Sequence, residues 1–247
     1  MTTELDLTKF RALSFDCYGT LIDWESGLLA VLGPWAREQG LERSDEELLL
    51  AYAGHEGAVQ REMPSALYPE ILATSFRRTG EQLGTQVSDD WAERLGHSVP
   101  DWPAFPDSAD ALARLARRYK LIIVSNVHRA GFAGSNEHLR GDFAAIITAE
   151  DVGAYKPAEN HFRALDATLP GLDVDRSELL HVAQSLFHDH VPAKREGLPS
   201  VWINRRQNRE GWGATPEPDE EFSYALELPS MAAFADAVDQ AFSSRPS

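Results

Sequence analysis

Five apolar runs of four residues, at 12–15, 121–124, 145–148, 179–182 and 200–203, limit what this chain can become. Each has the length of a strand, and most lack the polar alternation expected of a sheet with one wet face, so they predict strands buried on both sides. Helical patterns separate them. Residues 107–119 (DSADALARLARRY) place Ala111, Leu112 and Leu115 on one face, follow Pro106, begin with capping residues and carry arginines toward the end. Shorter helices are predicted over 161–168 and 191–196. Strands alternating with helices imply an α/β fold, a mostly parallel sheet covered on both faces. The stretch 24–105 breaks that rhythm: it is helix-rich, has no convincing strand, and ends near the proline-rich VPDWPAFPD. It reads as a helical cap of 24–105 inserted into a core made of 1–23 and 106–247. The tract 207–221 (QNREGWGATPEPDEE) reads as a polar loop.

Charge narrows the partners. Lys and Arg total 23 against 39 Asp and Glu, a formal net charge of -16. That balance argues against nucleic acid, which is bound through clustered cations. A small anionic substrate then needs a local positive site, because the overall field repels it. The single cysteine, Cys17, excludes an internal disulfide and suits a reducing compartment. No apolar stretch approaches the roughly 20 residues that span a bilayer, and MTTELDLTKF has no basic segment followed by a long apolar run. A cytoplasmic protein without a membrane partner is expected.

In a doubly wound sheet, ligands sit beyond the carboxyl ends of the strands. The first strand here ends in FDCYGTLID, the second in VSN; the third leads into AEDVGAYKP and the fourth into AQSLFHDH. In this order the four segments resemble the signature motifs of the haloacid dehalogenase superfamily. That resemblance covers essentially the whole chain, cap insertion included, and implies a Rossmann-like sheet of strand order 5-4-1-2-3 with Asp16 on the central strand. It makes Asp16 a carboxylate nucleophile, Thr20 its hydrogen-bond partner and Lys156 the cation that offsets its charge. Gly19 allows the tight turn between Asp16 and Thr20. Ser125 and Asn126 supply a hydroxyl and an amide toward the substrate.

Most members of the superfamily are magnesium phosphatases. They carry a second Asp two residues after the nucleophile as general acid, and a pair of acidic residues in the fourth motif. Here those positions are Tyr18 and Gln184, with Asp189 matching the second acid of the pair. An alkoxide leaving group needs a proton, and general acid catalysis is worth about 10²–10⁴-fold; a halide leaves without one. Losing two oxygen ligands also weakens a magnesium site. FDCYGTLID with Tyr18 is similar to the L-2-haloacid dehalogenases, or type II branch, which use no metal or cofactor. The resemblance implies alkylation of Asp16 by a 2-haloalkanoic acid and hydrolysis of the aspartyl ester to a 2-hydroxy acid. Asp189 matches the residue that activates water, and His188 beside it is a second candidate; His190 reads as structural.

The resemblance has gaps. Those dehalogenases carry a cap arginine about thirty residues after the nucleophile, where this chain reads SDEELLLAYAGHEG. Arg61, Arg77 and Arg129 are the candidate replacements. Phe162 stands where they have Tyr, and Gln184 and Leu186 where they have Ser and Asn. Trp24, Trp35, Tyr52 and Tyr68 are either an apolar wall around the substrate or plain cap core. Cys17 reads as packing, and a homodimer is common among such relatives. Two other readings stand beside the dehalogenase: a magnesium-dependent phosphatase of a small phosphomonoester, and a non-catalytic member.

Overall fold

The computed structural model describes residues 5–207, 214–218 and 220–244. Six parallel strands, β1 (Ala12–Phe15), β2 (Lys120–Ser125), β3 (Ala145–Thr148), β4 (Leu179–Ala183), β5 (Ser200–Ile203) and β6 (Leu226–Leu228), form one sheet of order β3-β2-β1-β4-β5-β6. Read from the other edge, this is the expected 5-4-1-2-3 order with one strand added. The addition escapes a search for apolar runs because it is only three residues, Leu-Glu-Leu, on the sheet edge. Of the tract 207–221, residues 208–213 and 219 lie outside the described residues; the remainder contains no helix or strand.

The sheet is buried on both faces, as continuous apolar strands require. Leu13, Phe15, Leu121, Ile123, Leu180 and Val182 face one hydrophobic cluster. Ala12, Ile122, Val124 and Leu179 face the other. The second side carries an exception. Ser14 and His181 are register partners on β1 and β4, both fully buried, and join through Ser14 Oγ and His181 Nδ1 at 2.9 Å.

Four helices follow β1: α1 (Trp24–Glu38), α2 (Asp45–Glu62), α3 (Tyr68–Gln82) and α4 (Asp89–Gly96), with no strand among them. The chain leaves the sheet and returns to it side by side. Asp23 N–H donates to Pro103 O at 2.8 Å and Phe105 N–H to Leu21 O at 3.0 Å. α2 starts in a reciprocal capping box, Ser44 with Glu47, the arrangement that satisfies two otherwise orphaned donors. Its buried stripe runs Leu48, Tyr52, Glu56, Val59 at helical spacing. A carboxylate therefore occupies an apolar row.

Five further helices, α5 (Ser108–Leu115), α6 (Arg129–Leu139), α7 (Ala149–Val152), α8 (Asn160–Thr168) and α9 (Val191–Arg195), separate the later strands, and α10 (Met231–Ser243) closes the chain. α5 is shorter than the 107–119 predicted. Asp107 does not cap α5 with its side chain; it pairs instead with Arg205 at 2.9 Å and accepts from Ala232 N–H in the first turn of α10. Beyond Leu115 the backbone tightens into a turn that sends the Tyr119 hydroxyl to Leu7 O at 3.0 Å. No helix of the described residues is long and apolar enough to cross a membrane.

Candidate active site

The turns after β1, β2 and β4 and the loop before α8 converge at the carboxyl ends of the strands. β1 stops at Phe15, and Gly19 (φ 92°) turns the chain so that Thr20 comes back over Asp16. A Cβ at Gly19 would press on Gln184 Oε1 at 3.1 Å and Trp24 Nε1 at 3.2 Å as well as being strained. Thr20 Oγ1 donates to Asp16 Oδ2 at 2.7 Å and itself accepts Gln184 N–H at 2.9 Å. The β1 turn is thereby tied to the β4 turn.

Lys156 is the centre of the arrangement. Its buried ammonium donates to Asp16 Oδ1 at 2.9 Å, Asp189 Oδ1 at 2.7 Å and Val124 O at 2.9 Å, using all three protons. Asn126 fixes the backbone beneath it, accepting Lys156 N–H at 2.6 Å and donating to Lys156 O at 3.1 Å. Desolvation would lower the ammonium's pKa, but Asp16 and Asp189 override it and hold the lysine charged.

The two carboxylates differ. For Asp16, burial is the largest influence and pushes its pKa up; Lys156 pulls it down, Asp189 pushes it up again, and the net shift is upward. Asp189 is also buried, but Lys156 and a hydrogen bond from His181 Nε2 at 3.0 Å hold it well below the ordinary carboxylate range. A buried relay thus runs Ser14, His181, Asp189, Lys156, Asp16. Phe162 packs edge-on to His181 at 5.5 Å between centroids, giving the ring a fixed apolar wall. Asp189 Oδ2 is buried with no hydrogen-bond partner among the described residues.

His188 sits one residue before Asp189, in a π-helical turn (Leu186–His190) capped by Ser185. Ser185 Oγ accepts His188 N–H at 3.0 Å and lies 3.0 Å from His188 Nδ1. When the hydroxyl gives its proton to Nδ1, both groups are satisfied and Nε2 carries the ring hydrogen. Burial lowers the His188 pKa to about 4, so the ring is neutral near pH 7. His190 is bound at both nitrogens, to Ser200 Oγ and Ala183 O, deep in the core.

A cavity of about 50 Å³ opens on Asp16, Tyr18, Asn126, Lys156, His188 and Asp189. One water needs roughly 10–15 Å³ on such a measure, so the space suits a substrate of few atoms. The rest of its lining includes Trp24, Glu56, Gln60 and Tyr68, from α1, α2 and α3. A larger cavity of about 630 Å³ adjoins it, shares Gln60, Lys156 and His188, and is lined by Arg61 and Arg195.

The site thus assembles seven of the eight residues singled out from sequence: Asp16, Thr20, Lys156, Asp189, His188, Tyr18 and Asn126. Tyr18 reaches the cavity with its hydroxyl paired to Ser135 Oγ at 2.9 Å. Ser125 stands back; its hydroxyl is buried without a hydrogen bond among the described residues and lines none of these cavities. Of the candidate arginines, Arg77 pairs with Asp89 on the cap exterior and Arg129 with Glu150 and Asp151. Only Arg61 reaches the adjoining cavity. Trp24 and Tyr68 line the site, whereas Trp35 packs on Phe76 in the cap core and Tyr52 lies buried beneath Glu56. Cys17 is buried and free.

Sequence reasoning missed His181, Ser14 and Glu56. Each left a signal, a polar side chain inside an apolar period. Glu56 Oε1 accepts from Tyr68 at 2.8 Å and Tyr52 at 3.4 Å, and burial raises its pKa to about 7. Relative to an ordinary Glu at 4.5, the folded state holds this proton longer, so stability falls as pH rises from about 4.5 to 7 and the loss is complete above that. At 1.36 kcal/mol per unit the loss is roughly 3 kcal/mol. Glu56→Gln should remove it: measured from pH 5 to 8, the urea midpoint of the variant should gain on that of the parent as pH rises, the buried histidines acting equally on both. Parallel curves would refute the burial assignment.

A family model described as haloacid dehalogenase-like hydrolase matches residues 10–182. The chain is 28% identical over 211 residues to haloacetate dehalogenase H-2 of Moraxella sp. (strain B), covering 81% of this chain and 88% of that one. It is 24% identical over 204 residues to an (S)-2-haloacid dehalogenase of Pseudomonas putida, at 81% and 87% coverage. Among solved structures, the L-2-haloacid dehalogenase of Xanthobacter autotrophicus with chloropropionic acid covalently bound superposes with a TM-score of 0.74 at 17% identity. That match covers 93% of this chain and 98% of the other.

Proposed function

The chain belongs to the haloacid dehalogenase-like hydrolases, and from that premise we propose that it hydrolyses a short 2-haloalkanoic acid to the 2-hydroxy acid without a metal. The observation that carries this reading is the position of Lys156. Its ammonium bridges Asp16 Oδ1 and Asp189 Oδ1, the place a divalent ion shared by the two carboxylates would need. Tyr18 and Gln184 supply no charged oxygen in compensation, and a hard divalent ion prefers carboxylates. The donor set does not fit magnesium. The dehalogenases of Moraxella and P. putida support the substrate class.

In the first step an Asp16 oxygen attacks the carbon bearing the halogen. A C–O bond forms, the C–X bond breaks and halide departs with the electron pair. In the second step water adds to the Asp16 ester carbonyl as Asp189 takes one of its protons; the adduct then breaks its bond to the substrate oxygen, Asp189 returns the proton to that oxygen, and the 2-hydroxy acid leaves with an oxygen that began on Asp16. Lys156 and Thr20 hold the carboxylate in place between turnovers, which is the positioning that converts an encounter into a first-order step. The cavity size favours two- and three-carbon acids, and the adjoining Arg61 and Arg195 offset locally the charge of -16 that repels an anion. The proposed partner is therefore a small anionic substrate.

Halide release from chloroacetate, fluoroacetate and both 2-chloropropionate enantiomers, assayed in excess chelator, tests the proposal. Release should be undiminished by chelator, with one enantiomer preferred. Hydrolysis of a chromogenic phosphate that stops with chelator and returns with magnesium, in the absence of halide release, would replace this reading with a phosphatase.

A further inference from the structure

Displacement at carbon requires nucleophile, carbon and leaving group in line. Asp16 lies at the strand ends, so a halide displaced by it departs away from them, toward the wall that α1, α2 and α3 supply. That wall presents a carboxyl, Glu56, with Gln60 and Tyr68 beside it. The floor's one ammonium is already saturated by Asp16, Asp189 and Val124 O.

We propose that Glu56 is a catalytic residue of this site, its carboxyl in the acid form donating a hydrogen bond to the halide as it leaves. The role rests on the dehalogenase reading above. No proton is transferred: the halide takes the C–X electron pair, and Glu56 keeps its hydrogen while stabilising the developing anion. The geometry prepares it for this. Both tyrosine hydroxyls are donated to Oε1, which leaves Oε2 free of them to carry the proton, and the residue lines the cavity. Burial keeps that proton on up to about pH 7. An ionised Glu56 would oppose the departing anion, so the same residue sets an upper pH limit for the first step.

The groups around it leave that limit to Glu56 alone. Tyr52 on its own helix and Tyr68 from α3 are held neutral well above pH 10 by burial, and burial raises Tyr155 beside them as well. α1 contributes Trp24. Across the cavity stand Tyr18, also raised by burial, the charged Lys156 with Asp189, and His188, already neutral above about 4. Asp16 must be ionised to attack, and burial raises its pKa, so its titration slows the step as pH falls and cannot produce an alkaline fall. Among these groups Glu56, with its pKa raised to about 7, is the one whose ionisation would slow the step as pH rises.

Single-turnover halide release across pH 5–9 tests the proposal on the full-length protein, with fluoroacetate and chloroacetate as probes. The parent's rate should fall above about pH 7. Glu56→Gln keeps a neutral donor of the same shape; it should retain the rate within about fivefold and lose the alkaline fall. Glu56→Ala should lose about 10²-fold in kcat, the low end of what such a group supplies. Its KM should move little, and fluoride release should suffer more than chloride release because fluoride accepts hydrogen bonds more strongly. Tyr68→Phe removes a hydrogen bond that favours the ionised carboxylate, so its alkaline fall should move to higher pH. Halide release by Glu56→Ala at the parental rate, or an alkaline fall that persists in Glu56→Gln, would overturn the role while leaving the dehalogenase reading intact. No halide release by the parent from any haloacid would overturn both.

Discussion

Asp16→Asn should lower halide release by about 10⁴-fold or more while the protein keeps its fold. The substitution is isosteric and removes the nucleophilic charge; a carboxamide oxygen does not displace halide at a useful rate, and losses of this order follow removal of a covalent nucleophile elsewhere. Stability should not suffer. Burial raises the Asp16 pKa, so the folded state binds its proton more tightly than the unfolded chain does. Stability then falls with rising pH as the carboxyl ionises, and an uncharged Asn escapes that loss. The variant's melting temperature at pH 8 should equal or exceed the parent's. Lys156 retains Asp189 and Val124 O, so no ammonium is left unpaired. The parent offers a complementary measurement. A single turnover in isotopically heavy water should place the label on Asp16 rather than on the hydroxy acid. Parental halide release by a variant whose intact mass excludes deamidation, or label appearing directly in the product, would contradict the nucleophile.

The chain shows how far strand ends can be read. Four polar segments following apolar runs of sheet length located the floor of the site, because a parallel sheet brings the carboxyl ends of its strands together whatever lies between them. Lys156 and Asp189 are 33 residues apart in sequence and 2.7 Å apart in space for that reason. β6 was invisible because a three-residue edge strand carries too little periodicity to count. The cap's contribution was harder to see. A search for an arginine passed over Glu56, although the row Leu48, Tyr52, Glu56, Val59 places a carboxylate where α2 is otherwise apolar. His181 was hidden likewise, inside an apolar run that marked a strand. In both cases the informative residue was the polar interruption of a pattern used only to assign an element, and a buried polar group needs a partner.

Asp189→Asn should separate the two half-reactions. Alkylation of Asp16 does not call on Asp189, so one halide per site should appear in a burst near the parental rate. Ester hydrolysis needs a base, and without one the aspartyl ester should accumulate, visible in the intact mass as Asp16 plus the substrate fragment. The following steady rate should fall about 10²–10⁴-fold, the usual worth of a general base. Two observations favour Asp189 over His188 for this step. Asp189 Oδ2 is buried and unpartnered among the described residues, leaving an acceptor for water, while Oδ1 is anchored by Lys156 and His181. His188, by contrast, has Nδ1 engaged by Ser185 at 3.0 Å, and burial lowers its pKa to about 4. Lys156 and His181 also keep Asp189 ionised against its burial, so its basic form persists across the working pH range. That low basicity limits it to shallow proton transfer, with orientation of the water supplying the rest of the effect. His188→Ala should therefore turn over with no burst and no trapped ester. A burst in His188→Ala together with rapid multiple turnover by Asp189→Asn would reverse the two roles. Rapid turnover by both would place the activating base outside the fourth turn altogether.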